Sequence, residues 1–141
     1  MKVNIGPYIS PDSKKKRKIN IHIDNYDLWN MDETLSLIIA PMLIKMKNDK
    51  EGVPHVHDED LPEHILQEYP ESNNDLAALE ARWNYIIDAM IFSFERYNTD
   101  WENQFFGRGL DSELKREYYE IEKRIELGFR LFGKYFRSLW T

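Results

Sequence analysis

"KINIHIDNYDLWNMDETLSLIIAPMLIKM", residues 18–46, passes from an alternation of period two to spacings of three and four, and that change decides the fold class. Ile19, Ile21 and Ile23 fall on one side of an extended chain and Asn20 and His22 on the other, the pattern of a half-buried strand. "KVNI" (2–5) alternates in the same way, and "GPYISPDSKKKR" between the two carries Gly6, Pro7, Pro11 and Asp12, which predicts a loop rather than a tight turn. The simplest arrangement is a small antiparallel sheet. Two strands alone are marginal in water, so the sheet asks for a helix or another chain behind it.

After the junction, Asn30 can cap a helix with Glu33 three residues on, and Leu35, Ile38, Ile39, Met42, Leu43 and Met46 follow at helical spacing. Pro41 removes one backbone donor, which predicts a kink or an early break. Asp32 in the first turn complements the positive helix end. Asp27 and Trp29 have no such structural reason, and they read either as incidental or as the lip of a site that needs a carboxylate and a ring.

Further along, residues 47–75 hold three prolines and many acids and predict a long connection with one short helical turn near Pro62. A second helix is predicted over about 75–97, with Leu76, Leu79, Trp83, Ile86, Ile87, Met90, Ile91 and Phe94 on one stripe. Gly107 and Gly109 separate it from a third, which starts at Asp111 or Ser112 and runs to about Ser138. Its seam of Leu114, Tyr118, Ile121, Ile125, Gly128, Phe132, Tyr135 and Leu139 resembles a short heptad pattern, and Gly128 would admit another backbone. The expected fold is α+β: a small antiparallel sheet of N-terminal strands packed by about three helices, the last one long.

The 141 residues are the ordinary length of one domain. A hydrophobic fraction of 42% with a mean hydropathy of -0.65 describes a globular chain whose helices keep one face in water. There are no cysteines, which excludes disulfides and thiolate metal sites. The N-terminus lacks an apolar signal core and no apolar run reaches a membrane span, so a reducing cytoplasm is the expected address and no membrane partner is expected. Net charge is -6, distributed as +5 over residues 1–19, +3 over residues 127–141 and -14 between them. Basic ends around an acidic centre suit self-association or capture of a compact anion better than stable DNA binding.

Three constellations could carry chemistry. "PHVHDED" (54–60) gathers His55, His57, Asp58 and Asp60, and in an extended segment the two histidines point the same way; an acidic surface loop accounts for it as well as a metal does. "HID" (22–24) with Asp27, Asp32 and Glu33 resembles a fragment of a metal-dependent nuclease. Arg130, Lys134 and Arg137 share one helical face near Phe129, Phe132, Tyr135, Phe136 and Trp140, where cations could hold phosphate and rings could stack on a base; rings at this spacing also build cores. No Gly-rich phosphate loop or nucleophile elbow is present, and neither a cofactor nor a resident metal is expected.

"YDLWNMDETLSLIIAPMLIKMK", "GVPHVHDEDLPEHI", "ARWNYIIDAMIFSFE" and "RIELGFRLFGKYFRSLW" together resemble a family of small tailed-phage proteins. The family pattern runs D-x-W-x-M-D-x-T-L, then D-E-D-V-P, then R-W with E-M-I, and finally G-F-R-L-F-G-K-Y-x-x-x-L-W. It falls here on Asp27, Trp29, Met31, Asp32, Thr34 and Pro41, on Asp58, Glu59, Asp60 and Pro62, on Arg82 and Trp83, and on Phe129, Arg130, Gly133, Lys134, Tyr135 and Trp140. His55 and His57 occupy variable positions of that pattern, and Asp88-Ala89 stands where the family places an acid directly before the methionine.

The resemblance implies a phage product acting in the cytoplasm of an infected bacterium. The reading that follows is a host-directed binding protein that counters bacterial immunity by sequestering a cyclic nucleotide without catalysis. The expected ligand site comprises Asp27, Trp29, Asp32, Arg130, Lys134 and Tyr135, with Arg17, Lys18 and Arg137 as additional phosphate contacts, in a homo-oligomer formed through the third helix. A virion structural or assembly protein is the alternative, and a metal nuclease the second.

Overall fold

A computed structural model describes residues 1–71, 75–105 and 112–140. It divides into two compact units, residues 1–34 and 35–141. The fold is α+β, with a two-stranded antiparallel sheet at the N-terminus and, among the described residues, four α-helices, the last one long.

In the first unit β1 (Lys2–Ile5) pairs with β2 (Ile19–His22), with Val3 opposite Ile21 and Ile5 opposite Ile19. Side chains alternate along a strand, so these four share one face, while Lys2, Asn4, Asn20 and His22 share the other. The alternation read from sequence is therefore real, but both strands are exposed along their length rather than half-buried. The connecting loop is fastened at its base, where the Gly6 N–H donates to the Lys18 carbonyl at 2.8 Å and Arg17 Nε donates to the Gly6 carbonyl at 2.6 Å. A short 3-10 helix, Asn25–Leu28, leads to the next element.

Helix α1 (Met31–Asp49) begins directly after Asn30, whose side-chain amide donates to Glu33 at 3.0 Å. It runs through Pro41 without the early break expected there, turning a buried face of Ser36, Ala40 and Leu43 to the core. That face keeps the helix going despite one missing hydrogen bond, because tertiary packing outweighs a single local defect. Leu35 and Met42, expected inside, are exposed.

A short helix α2 (Glu63–Glu68) follows Pro62, as the sequence suggests, and a 3-10 turn spans Asp58–Asp60 just before it. Helix α3 (Leu76–Tyr97) is capped by Asp75, which accepts from the N–H groups of Ala77 and Ala78 at 3.1 Å. Its stripe of Trp83, Ile86, Ile87, Met90 and Phe94 is buried, while Leu76 is exposed. Gly107, Gly109 and Asp111 lie outside the described residues. Helix α4 starts at Ser112 and ends at Lys134, four residues short of the expected end, and a 3-10 turn, Phe136–Ser138, follows.

The heptad-like seam of α4 faces α3 of the same chain. Trp83 meets Tyr135, and Phe94 meets Phe129 and Phe132 edge-on, so the two helices run in opposite directions. Ile125, Gly128, Leu131 and Tyr135 are the buried residues of this contact, Leu131 being one that the seam did not include. The close approach expected at Gly128 exists, and its partner is intramolecular: a Cβ there would lie 2.2 Å from the Ala89 carbonyl oxygen and 2.0 Å from Ser93 Oγ. From Ile125 to Tyr135 the seam predicted to join two copies is thus taken up within one.

Gly128→Ala should destabilise the protein by about 1–3 kcal/mol through overpacking, despite the better helix propensity of alanine. Gly133, in the same helix, has nothing within 4 Å of a Cβ, so Gly133→Ala should instead be neutral or stabilising by up to about 1 kcal/mol. Urea denaturation of the two variants checks the contrast.

Candidate functional site

The segment between α1 and α3 is held from both sides by ionic groups. Arg82 of α3 is 1% exposed; its Nη1 donates to the Tyr69 carbonyl at 3.2 Å, and its Nη2 donates to the Val56 carbonyl at 3.2 Å and pairs with Asp58. Two residues on, the Asp60 side chain is 1% exposed and receives Lys134 Nζ at 2.6 Å, the Tyr135 hydroxyl at 2.8 Å and Arg130 Nη1 at 3.1 Å. Lys134 also reaches Glu59 at 2.6 Å, and the Tyr135 hydroxyl accepts from the His57 N–H at 3.0 Å. Val56 and Leu61 are buried beside these polar contacts, so the segment is part of the core and not a free loop.

The electrostatics follow from this geometry. Burial by itself pushes the Asp60 carboxyl up, but hydrogen bonds from Lys134, Tyr135 and Arg130 outweigh it and hold the group below the ordinary carboxylate range. The same contact to Asp60, together with Glu59, raises Lys134. Tyr135 is raised by burial and by Asp60, against the His57 N–H, which favours the phenolate.

These contacts change what the predicted ligand residues can do. Arg130, Lys134 and Tyr135 are brought together as expected, but around a carboxylate of their own chain. Tyr135 is 4% exposed and packs edge-on against Trp83, so it cannot stack on a base. Arg130 is 56% exposed and keeps donors free toward solvent, yet a phosphate there would compete with Asp60. Arg137 is exposed on the 3-10 turn beyond α4.

Asp27, Trp29, Asp32, Arg17 and Lys18 belong to the first unit. Asp27 accepts from the Asp24 N–H at 2.7 Å and lies 2.8 Å from the Met1 amino group, which, with the Asp24 N–H, holds its carboxyl low. The acid that had no structural reason therefore has one. Trp29 is 87% exposed.

The metal candidate is dispersed in a similar way. His55 and His57 do sit together, with ring centroids 5.3 Å apart, but His55 Nε2 pairs with Glu71 at 2.6 Å while Asp58 and Asp60 face arginine and lysine. Among the described residues no group of three or more histidines and acids is arranged to hold a metal ion.

A second arrangement went unread in the sequence. Phe92 of α3 has the Arg124 guanidinium 3.8 Å from its ring centroid and that of Arg96 at 5.8 Å. Neither arginine is ion-paired among the described residues, and the buried Nε of Arg96 has no hydrogen-bond partner there. The ring and Arg96 border an open cleft of about 590 Å³ between α1 and the end of α3, lined also by Leu37, Ala40, Pro41, Glu95, Asn98 and Thr99. The available signal was the four-residue spacing of Phe92 and Arg96 on one helix, and a proline inside another.

Compared with protein-family models, curated proteins and solved structures, the chain matches none. Among the described residues no helix is long and apolar enough to cross a membrane.

Asp60→Asn should cost about 1.5–3 kcal/mol, the range for hydrogen bonds to charged groups. Because the folded pKa of Asp60 is depressed, its contribution is fully present above the unfolded value of about 3.9 and is lost as pH falls through the folded value. Thermal unfolding of the wild type and Asp60→Asn should therefore differ most above pH 5 and converge toward pH 2.

Proposed function

We infer that the chain is a phage-encoded binding protein that acts without turnover in the cytoplasm of an infected bacterium, countering host immunity by capturing a cyclic nucleotide, and that it works as an assembly of its own copies. The observation that carries the binding reading is the N-terminal ribbon. Val3, Ile5, Ile19, Ile21 and Ile23 are all exposed, the first four on one sheet face, and both outer edges of the two-stranded sheet are open among the described residues. Apolar faces and open edges of this kind favour association.

A second copy fits as the occupant by charge. Residues 1–23 carry a net +5 and residues 24–141 a net -11, so the ribbon of one molecule is drawn to the remainder of another. The same surface supports the alternative of a virion structural or assembly protein, which mass spectrometry of purified particles separates from a host-directed role. Capture through Arg130 and Lys134 has less support, since Asp60 and Glu59 already neutralise them.

Analytical ultracentrifugation of the wild type should show an oligomer that weakens in 0.5 M salt. Ile21→Lys, at a solvent-exposed position, should yield a folded monomer, and a wild type that is monomeric at about 100 µM would overturn the assembly reading. In calorimetry with a panel of cyclic di- and trinucleotides, Arg130→Ala should change affinity less than twofold.

A further inference from the structure

We propose that the cleft between α1 and the C-terminal end of α3 is a binding site for a nucleotide, with the base against Leu37, Ala40 and Pro41 and the phosphate on Arg96. This rests on the reading of the chain as a nucleotide-capturing protein and assigns that activity to residues remote in sequence from the cationic end of α4.

Four observations converge on the site. First, its volume of about 590 Å³ lies within the range of small-molecule pockets and exceeds what one or two waters need. Second, Arg96 is a permanent cation with five donors, its Nε is buried without a partner, and no carboxylate is paired with it among the described residues. The occluded Nε is not the atom a ligand in the cleft would touch; the charge-assisted hydrogen bonds to a phosphate would come from the terminal N–H groups of the guanidinium. Arg82, Arg130 and Lys134, by contrast, already hold carboxylates.

Third, the α1 wall of the cleft contains Pro41, a proline inside a helix. Pro41 has no N–H to give to the Leu37 carbonyl four residues back, and both residues line the cleft. Together with Ala40 these residues give the site an apolar wall on the α1 side. Glu95 stands at the same rim and disfavours a bare multiply charged anion, while a ligand that brings its own N–H donors can satisfy it.

Fourth, the helix end at the cleft is already capped. The Asn98 side chain donates to the Phe94 carbonyl at 3.1 Å, its N–H donates to the Glu95 carbonyl at 3.2 Å, and the Thr99 hydroxyl donates to the Arg96 carbonyl at 2.7 Å. The negative pole of α3 is thereby partly met, which lowers the repulsion a phosphate would otherwise feel there. Arg124, seated 3.8 Å over Phe92, holds the ring that lines the cleft and adds positive potential beside it.

The test is isothermal titration of the full chain with adenosine and guanosine 5′-monophosphates, their 3′,5′-cyclic forms and the cyclic dinucleotides built from them, with adenosine and inorganic phosphate as the arms that lack one half of the ligand. At least one nucleotide should bind more tightly than either arm, Arg96→Gln should weaken it at least tenfold, and Arg130→Gln should leave it within twofold. Amide chemical-shift changes in the wild type should cluster on Leu37, Phe92, Arg96 and Thr99, a readout that does not depend on any variant folding. Binding lost in Arg130→Gln and kept in Arg96→Gln, or shifts centred on Asp60 and Tyr135, would overturn the site while leaving nucleotide capture standing. Absence of binding across the whole panel would overturn both.

Discussion

The burial of one carboxylate, Asp60, beside three donors from the end of α4 is the constraint on which much of the helical unit depends. A charge removed from water is tolerated only when its oxygens are satisfied. Lys134, Tyr135 and Arg130 can all reach it only if α4 lies in one register against the segment that carries Asp60. Arg82 imposes the matching condition from α3, since its guanidinium holds two backbone carbonyls and Asp58 at once. Apolar contacts such as Trp83 on Tyr135 supply the bulk of the burial. The polar contacts select which packing of that apolar surface is the native one.

That arrangement also explains why groups with the composition of a phosphate site do not form an open one. Cations next to rings are equally the ingredients of a buried ionic cluster, and which results depends on whether a carboxylate from elsewhere in the chain arrives first. Here Glu59 and Asp60 arrive from about seventy-five residues away. Arg96 and Arg124 differ because the aromatic ring they share draws them together without neutralising them. Guanidinium without a carboxylate, beside a cavity, is the more informative sign of an anion site.

The N-terminal unit presents a contrasting problem. Its ribbon has cross-strand β-branched pairs on one face and a fastened loop, yet its apolar side chains remain exposed. Two strands seldom hold such a face in water unaided. That exposed face, together with a cluster of lysines in the intervening loop, is the feature from which self-association is proposed.

Sequence by itself determined the local elements. Period-two alternation at residues 2–5 and 19–23, the start of α1 directly after Asn30 and the buried stripe of α3 are all set by neighbours within a few residues, and they were legible for that reason. Gly128 was legible as a place of close approach but not as to whose backbone approaches, because a seam looks the same whether it meets its own chain or another. The roles of Arg82, Asp60 and Arg96 were decided only in the tertiary structure. The charge state and partners of a side chain depend on groups distant in sequence, and no local pattern encodes which carboxylate will reach which cation once the helices have packed.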